Sequence, residues 1–177
     1  MNIEEFFLKS VGEWNSMRSG HSLAFQEFEE IRSKIKIFPS KRNDSRVTKF
    51  LKDNLINTNV INKTFLINWE AKSEWDEENQ KENSSGESIL VPIEVSKTEG
   101  KIIRSVGYTQ AIKVVSLYKI LADGTLIIYS DYSDICTEER IWFVSNNVRS
   151  RSSVTRAIGS LAILQTSYAS EIRYIKK

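Results

Sequence analysis

One cysteine, Cys136, and one histidine, His21, stand in 177 residues. That excludes an intrachain disulfide framework and leaves too few thiolates and imidazoles for a zinc site. A Cys-His pair is arithmetically possible, yet nothing around Cys136 marks an activated nucleophile, and packing is its expected role. Prolines are equally scarce, only Pro39 and Pro92, and the seven glycines never gather into a phosphate loop ahead of a helix. Charge of one sign is missing as well. The 25 Lys+Arg and 23 Asp+Glu leave a net +2, too weak a field to argue for nucleic acid or an anionic bilayer as partner. No apolar run reaches the length of a membrane span, and the opening MNIEEFFLKS lacks the basic-then-apolar order of a targeting segment. An intracellular chain without membrane insertion is expected, and kinase, dehydrogenase and conventional hydrolase readings fall away.

What is present is strand character. Hydrophobic residues make up 40% of the chain, enough for one domain over residues 1–177 that buries roughly 70% of its unfolded surface. Asn2 followed by Glu5 signals a helix start, with Ile3, Phe6, Phe7 and Ser10 on one face. A second helix is predicted after Asn43 and Asp44, striped by Val47, Phe50, Leu51 and Leu55. Elsewhere strands are expected over 17–28, 33–38, 64–75, 88–95, 101–108, 112–122, 125–132, 137–144, 148–156 and 164–174. Asp123-Gly124 is a strong hairpin signal. The wholly polar stretch from Asp76 to Ser88 reads as a long loop. Nine or ten strands in one domain favour a closed antiparallel barrel, because closure removes exposed edges.

The densest chemistry lies in Glu138-Glu139-Arg140-Ile141-Trp142-Phe143 and in Arg149-Ser150-Arg151-Ser152-Ser153. Register decides whether the acid and the arginines meet. A two-residue turn at Asn146-Asn147 would set Trp142 against Arg151 and leave Glu139 on the opposite face. A three-residue loop, Ser145–Asn147, pairs Phe143 with Arg149, Ile141 with Arg151 and Glu139 with Ser153, with Asn147 taking the left-handed backbone. The second register is preferred, and it gathers Glu139, Arg149, Arg151 and Ser153 on one face with Ile141 and Phe143. The bland alternative is a solvated outer face. Trp69 and Trp75 share a strand face with Ala71 and Ser73 between them, which leaves either an aromatic slot for a flat ligand or ordinary core. Arg18 lies beside Gly20 and Ser22, with room for a ligand or simply in solvent. Trp14 reads as a plug where the first helix meets the barrel.

At this point the residues match a known pattern. EERIWF followed by NVRSRSSV resembles the signature of the S-type phycobiliprotein chromophore lyases. EFFLKSVGEWNSMRSGHSLAF, the Trp69 to Trp75 spacing and SEIRY near the end extend the resemblance over nearly the whole chain. It implies a lipocalin-like closed antiparallel barrel of about nine or ten strands with a short N-terminal helix and one further helix. It also implies an activity. Such a lyase holds a phycobilin, phycoerythrobilin or phycocyanobilin, as substrate and directs thioether formation with a cysteine of an apo phycobiliprotein subunit, with no prosthetic group. By the resemblance Glu139 is the catalytic acid near the pyrrole nitrogens, while Arg18, Trp69, Trp75, Arg149, Arg151 and Ser153 bind the bilin. A non-catalytic bilin carrier is the alternative. Assembly as a homodimer stays open. The resemblance places such a chain in the cytoplasm of a cyanobacterium or its phage, or in the plastid stroma or lumen of an alga.

Overall fold

The helix start at Asn2 forms as a capping box: Glu5 N–H donates to Asn2 Oδ1 at 2.8 Å and Asn2 N–H to Glu5 Oε2 at 2.9 Å. From it runs α1 (Ile3–Ser10), whose Ile3, Phe6 and Phe7 are buried. A computed structural model describes residues 1–41, 43–73, 84–106, 112–160 and 162–175. Ten strands follow in chain order: β1 (Gly12–Ser22), β2 (Glu27–Pro39), β3 (Phe65–Ser73), β4 (Ser84–Glu94), β5 (Glu99–Val106), β6 (Ile112–Ile120), β7 (Leu126–Tyr132), β8 (Ile135–Phe143), β9 (Val148–Ala157) and β10 (Ile163–Arg173). Each pairs with its sequence neighbour, and β1 also pairs with β10, so the sheet closes into a ring with no free edge.

Because side chains alternate across a strand, every strand has an inner and an outer set. Two apolar clusters use them. Inside, Phe6 and Phe7 close one end of the barrel against Phe65, Leu90, Ile102, Leu126 and Ile141. Each such side chain contributes roughly 1.5–3 kcal/mol when withdrawn from water. Outside, α2 (Ser45–Asp53) lays Val47 and Phe50 on Leu66, Ile89, Val91 and Ile103. Strands β3 to β5 are therefore covered on both faces, which is why they read as continuous apolar runs rather than alternations.

Arg173 ties the closed end together. Its guanidinium donates to the carbonyls of Lys9 at 2.6 Å, Val11, and Asn146 at 3.2 Å, and stacks 4.2 Å from the Trp14 ring. Trp14, fully buried, donates Nε1–H to the Ser10 carbonyl at 2.8 Å, so the expected plug is in place.

Four expectations need correction. The strand predicted over 17–28 is the end of β1, a turn, and the start of β2. Leu23 and Phe25 mimic strand alternation there, but they are exposed in the turn, and Gln26 rather than a glycine takes the positive φ of 56°. β2 begins at Glu27, well before residue 33. Residues 84–88, assigned to the polar loop, open β4, while 74–83 lie outside the described residues. Leu55 falls past the end of α2, at φ 53° and 93% exposed, so the apolar stripe ends at Leu51.

Candidate active site inside the barrel

The β8–β9 hairpin sets the register on which everything else depends. Glu139 pairs with Ser153, Ile141 with Arg151 and Phe143 with Arg149, as expected from the three-residue loop. The reason differs from the expected one. Asn147 is not left-handed. Its N–H donates instead to Ser145 Oγ at 3.2 Å, and Arg173 N–H caps its carbonyl at 2.9 Å. Outward-facing Glu138 bonds Arg140 at 2.7 Å, leaving Glu139 as the acid that β8 turns inward.

That wall carries a chain of alternating charges. Arg149 Nε donates to Glu171 Oε2, and both side chains are nearly inaccessible, 2% and 1% exposed. Arg151 Nε lies 3.8 Å from Glu171 Oε1, and Arg151 Nη1 lies 3.2 Å from Glu139 Oε1. Cross-strand pairing makes this possible: β10 sets Glu171 opposite Arg149 and Ala169 opposite Arg151. Alanine leaves the second guanidinium room to reach both acids. Arg149 also stacks 4.6 Å from the Trp14 ring. Its Nη2 and the Nε of Arg151 are buried without a hydrogen-bond partner.

Burial dominates the Arg149 guanidinium and, with Arg151 nearby, pushes it down to about 10 despite the opposing pull of Glu171. At neutral pH it is still charged. Burial alone would raise the Glu171 carboxyl; Arg151 and Arg149 outweigh it and hold it below its ordinary value. For Arg151 burial again works against the charge, and Glu139 and Glu171 outweigh it, so its value rises.

Glu139, Arg149, Arg151 and Ser153 line one cavity of about 490 Å³ above Phe6 and Phe7, within the range of about 300–1,000 Å³ that encloses compact organic ligands. Its apolar floor includes Leu126, Ile128 and Ile141. Small hydroxyls make up part of the wall: Ser116 and Ser130 are 2.7 Å apart, Ser153 and Ser167 2.7 Å, and Thr137 and Thr155 3.1 Å. They satisfy one another and leave volume where larger residues would fill it. Arg104 enters from β5, between Leu90 and Val114.

The remaining candidates stand apart from this cavity. Trp69 is on the inner face of β3, two residues beyond Ile67, and its indole lies across Gly86 of β4. Any Cβ at Gly86 would meet that indole, 2.8 Å from Cη2. Gly86→Ala is therefore expected to destabilise the barrel by about 1–3 kcal/mol through overpacking and to shift Trp69, read as a lower thermal midpoint with changed tryptophan fluorescence. Arg18, on the inner side of β1 opposite Ala169 and Ile31, is 3.6 Å from Glu29 and half exposed. Trp75 lies outside the described residues.

Glu171, Arg104 and the Trp14 stack were not singled out in the sequence. Each sits inside a short polar or apolar motif whose facing depends on a register that the motif does not carry. A larger depression of about 900 Å³ lies over β10, β1, β2 and β3 near Lys34 and Glu70, without the arginine–carboxylate chain.

The same architecture occurs in the S-type phycobiliprotein lyase CpeS from Guillardia theta, with a TM-score of 0.86 and 32% identity over 100% of this chain and 95% of that one. Chromophore lyase CpcS/CpeS 3 of Trichodesmium erythraeum is 38% identical over 98% of this chain and 99% of its own length. Chromophore lyase CpcS/CpeS of Thermosynechococcus vestitus is 33% identical over 98% and 93% respectively. The family of CpeS-like proteins matches residues 2–174. With the match running from the first helix to the end of the last strand, this chain belongs to the CpeS-like family.

Proposed function

We propose that this chain is a phycobilin lyase. It binds an open-chain tetrapyrrole, phycoerythrobilin or phycocyanobilin, inside the barrel and directs its thioether attachment to a cysteine of an apo phycobiliprotein subunit. The observation that carries this reading is the Glu139–Arg151 pair on the wall of a cavity with an apolar floor, in a chain similar to named chromophore lyases. A carboxylate there accepts pyrrole N–H bonds and favours the protonated, more electrophilic tetrapyrrole. Arg151 sets the direction of that carboxylate. The acceptor sulfur then adds to the ring A side chain: a carbon–sulfur bond forms, the thiol proton ends on the tetrapyrrole, and no group leaves. Arg149, with one unpaired guanidinium nitrogen, and Ser153 fill out the polar wall. Arg18 and Trp69, on the inner faces of β1 and β3, would meet parts of the pigment that extend beyond this cavity. Much of the rate gain comes from holding one bilin conformer before one thiol.

The test mixes the protein with each pigment and an apo subunit, then denatures in acid and reads the chromophore covalently retained on the acceptor cysteine. Using Cys136→Ser alongside removes the chain's own thiol, and attachment should be undiminished. If retained chromophore does not exceed a reaction lacking the protein, the lyase reading fails. A bilin carrier then remains, provided that the pigment still binds.

A further inference from the structure

We propose that Arg104 anchors a propionate of the bilin and so selects for acidic tetrapyrroles, an inference that rests on the bilin reading above. The other arginines considered for that role already hold carboxylates of the chain itself. Arg18 faces Glu29 at 3.6 Å, Arg149 bonds the buried Glu171, and Arg151 faces Glu139 at 3.2 Å and Glu171 at 3.8 Å. Arg149 is 2% exposed with its Nε committed to Glu171, so it offers a ligand the buried unpaired Nη2 rather than an open guanidinium fork. Arg104 has no such obligation. It lines the same cavity and makes no ion pair or hydrogen bond among the described residues.

The charge balance points the same way. Arg149 and Arg151 cancel Glu139 and Glu171, so among the described residues Arg104 is the excess cation of the wall. An anionic ligand entering a balanced cavity would lose its hydration without return; a free guanidinium supplies two parallel charge-assisted bonds to one carboxylate. Position adds orientation. β5 lies across the ring from β10, five strands away in either direction, so a propionate held by Arg104 sits away from Glu171. Glu139, on β8, stays available to the pyrrole nitrogens. Arg104 is exposed within the barrel, so replacing it does not threaten folding.

The experiment titrates each bilin, and the same bilin as its dimethyl ester, into the wild-type protein, Arg104→Gln and Arg104→Lys, following the bound pigment's absorbance. Affinity of Arg104→Gln for the diacid is expected to fall about 10- to 100-fold, the span of a lost hydrogen bond to a charged group. Affinity for the ester should be unchanged, and Arg104→Lys should keep part of the diacid preference. Equal losses for diacid and ester, or no loss for either, overturn the anchor alone. Wild-type protein that binds neither pigment overturns the bilin reading together with it.

Discussion

Glu171→Gln is expected to cost the fold about 3–5 kcal/mol, because removing one member of a buried ion pair leaves the other uncompensated. Arg149 is 2% exposed and has Glu171 as its carboxylate partner. A glutamine amide has one acceptor oxygen for two arginines, so its NH2 would face the donors of one of them, and Arg151 would lose one of its two acids as well. A denaturant melt checks this through its midpoint. The double replacement Arg149→Met with Glu171→Leu should recover most of the loss, since an apolar pair of similar volume avoids burying charge. The acid limb of stability reports on the same group. The folded carboxyl lies below its ordinary value of 4.5, so its contribution is complete above that value and disappears as pH falls through the lower, folded one. Wild-type melts between neutral pH and about pH 3 should show that loss. In Glu171→Gln the curve should be flatter, and an unchanged acid limb would mean that Glu171 is not the group responsible.

Glu139→Gln should leave bilin affinity within a few-fold of wild type and lower the transfer rate by about 10²–10⁴, the usual span for a lost acid–base group. The amide keeps the size of the side chain and a carbonyl toward Arg151, so the wall is not remodelled. What it loses is the negative charge proposed to stabilise a protonated tetrapyrrole. The expected signature is split: kcat falls, Kd hardly moves, and the bound pigment loses the absorption of its protonated form. Loss of binding with transfer per bound bilin intact would give Glu139 a holding role instead of a chemical one.

How much of this was legible beforehand differs between the hairpin and the rest of the barrel. The β8–β9 pairing was readable because loop length alone sets which residues face each other across a short turn, and Glu139, Arg149, Arg151 and Ser153 follow from it. Even so, the left-handed Asn147 invoked for that loop is absent, and a serine hydroxyl serves in its place. Glu171 was hidden by its own strand. Along β10 the alternation puts Tyr168 and Ile172 on one face and Ala169 and Glu171 on the other; in most sheets the apolar set would be the buried one. Here Tyr168 and Ile172 are exposed and Glu171 is buried, because the barrel keeps polar groups for its cavity. Arg104 was ambiguous for another reason. Strand β5 is apolar at both Ile102 and Ile103 since α2 covers the outside, so the pattern could not say which way the arginine points. The β1–β2 turn escaped notice because Leu23-Ala24-Phe25-Gln26 contains no glycine, proline or asparagine to mark it.

The pairing of β1 with β10 has a consequence for the nascent chain. The ring closes only when the last strand arrives, and that strand carries Glu171 and Arg173. Contacts between the first and last strands span nearly the full sequence, the kind of long-range pairing that makes folding slow. Until residue 173 has left the ribosome the two arginines of β9 have no Glu171 to share, and β1 has no partner on that side. A chain stalled before β10 would hold the other nine strands without the Glu171 that the arginines of β9 share.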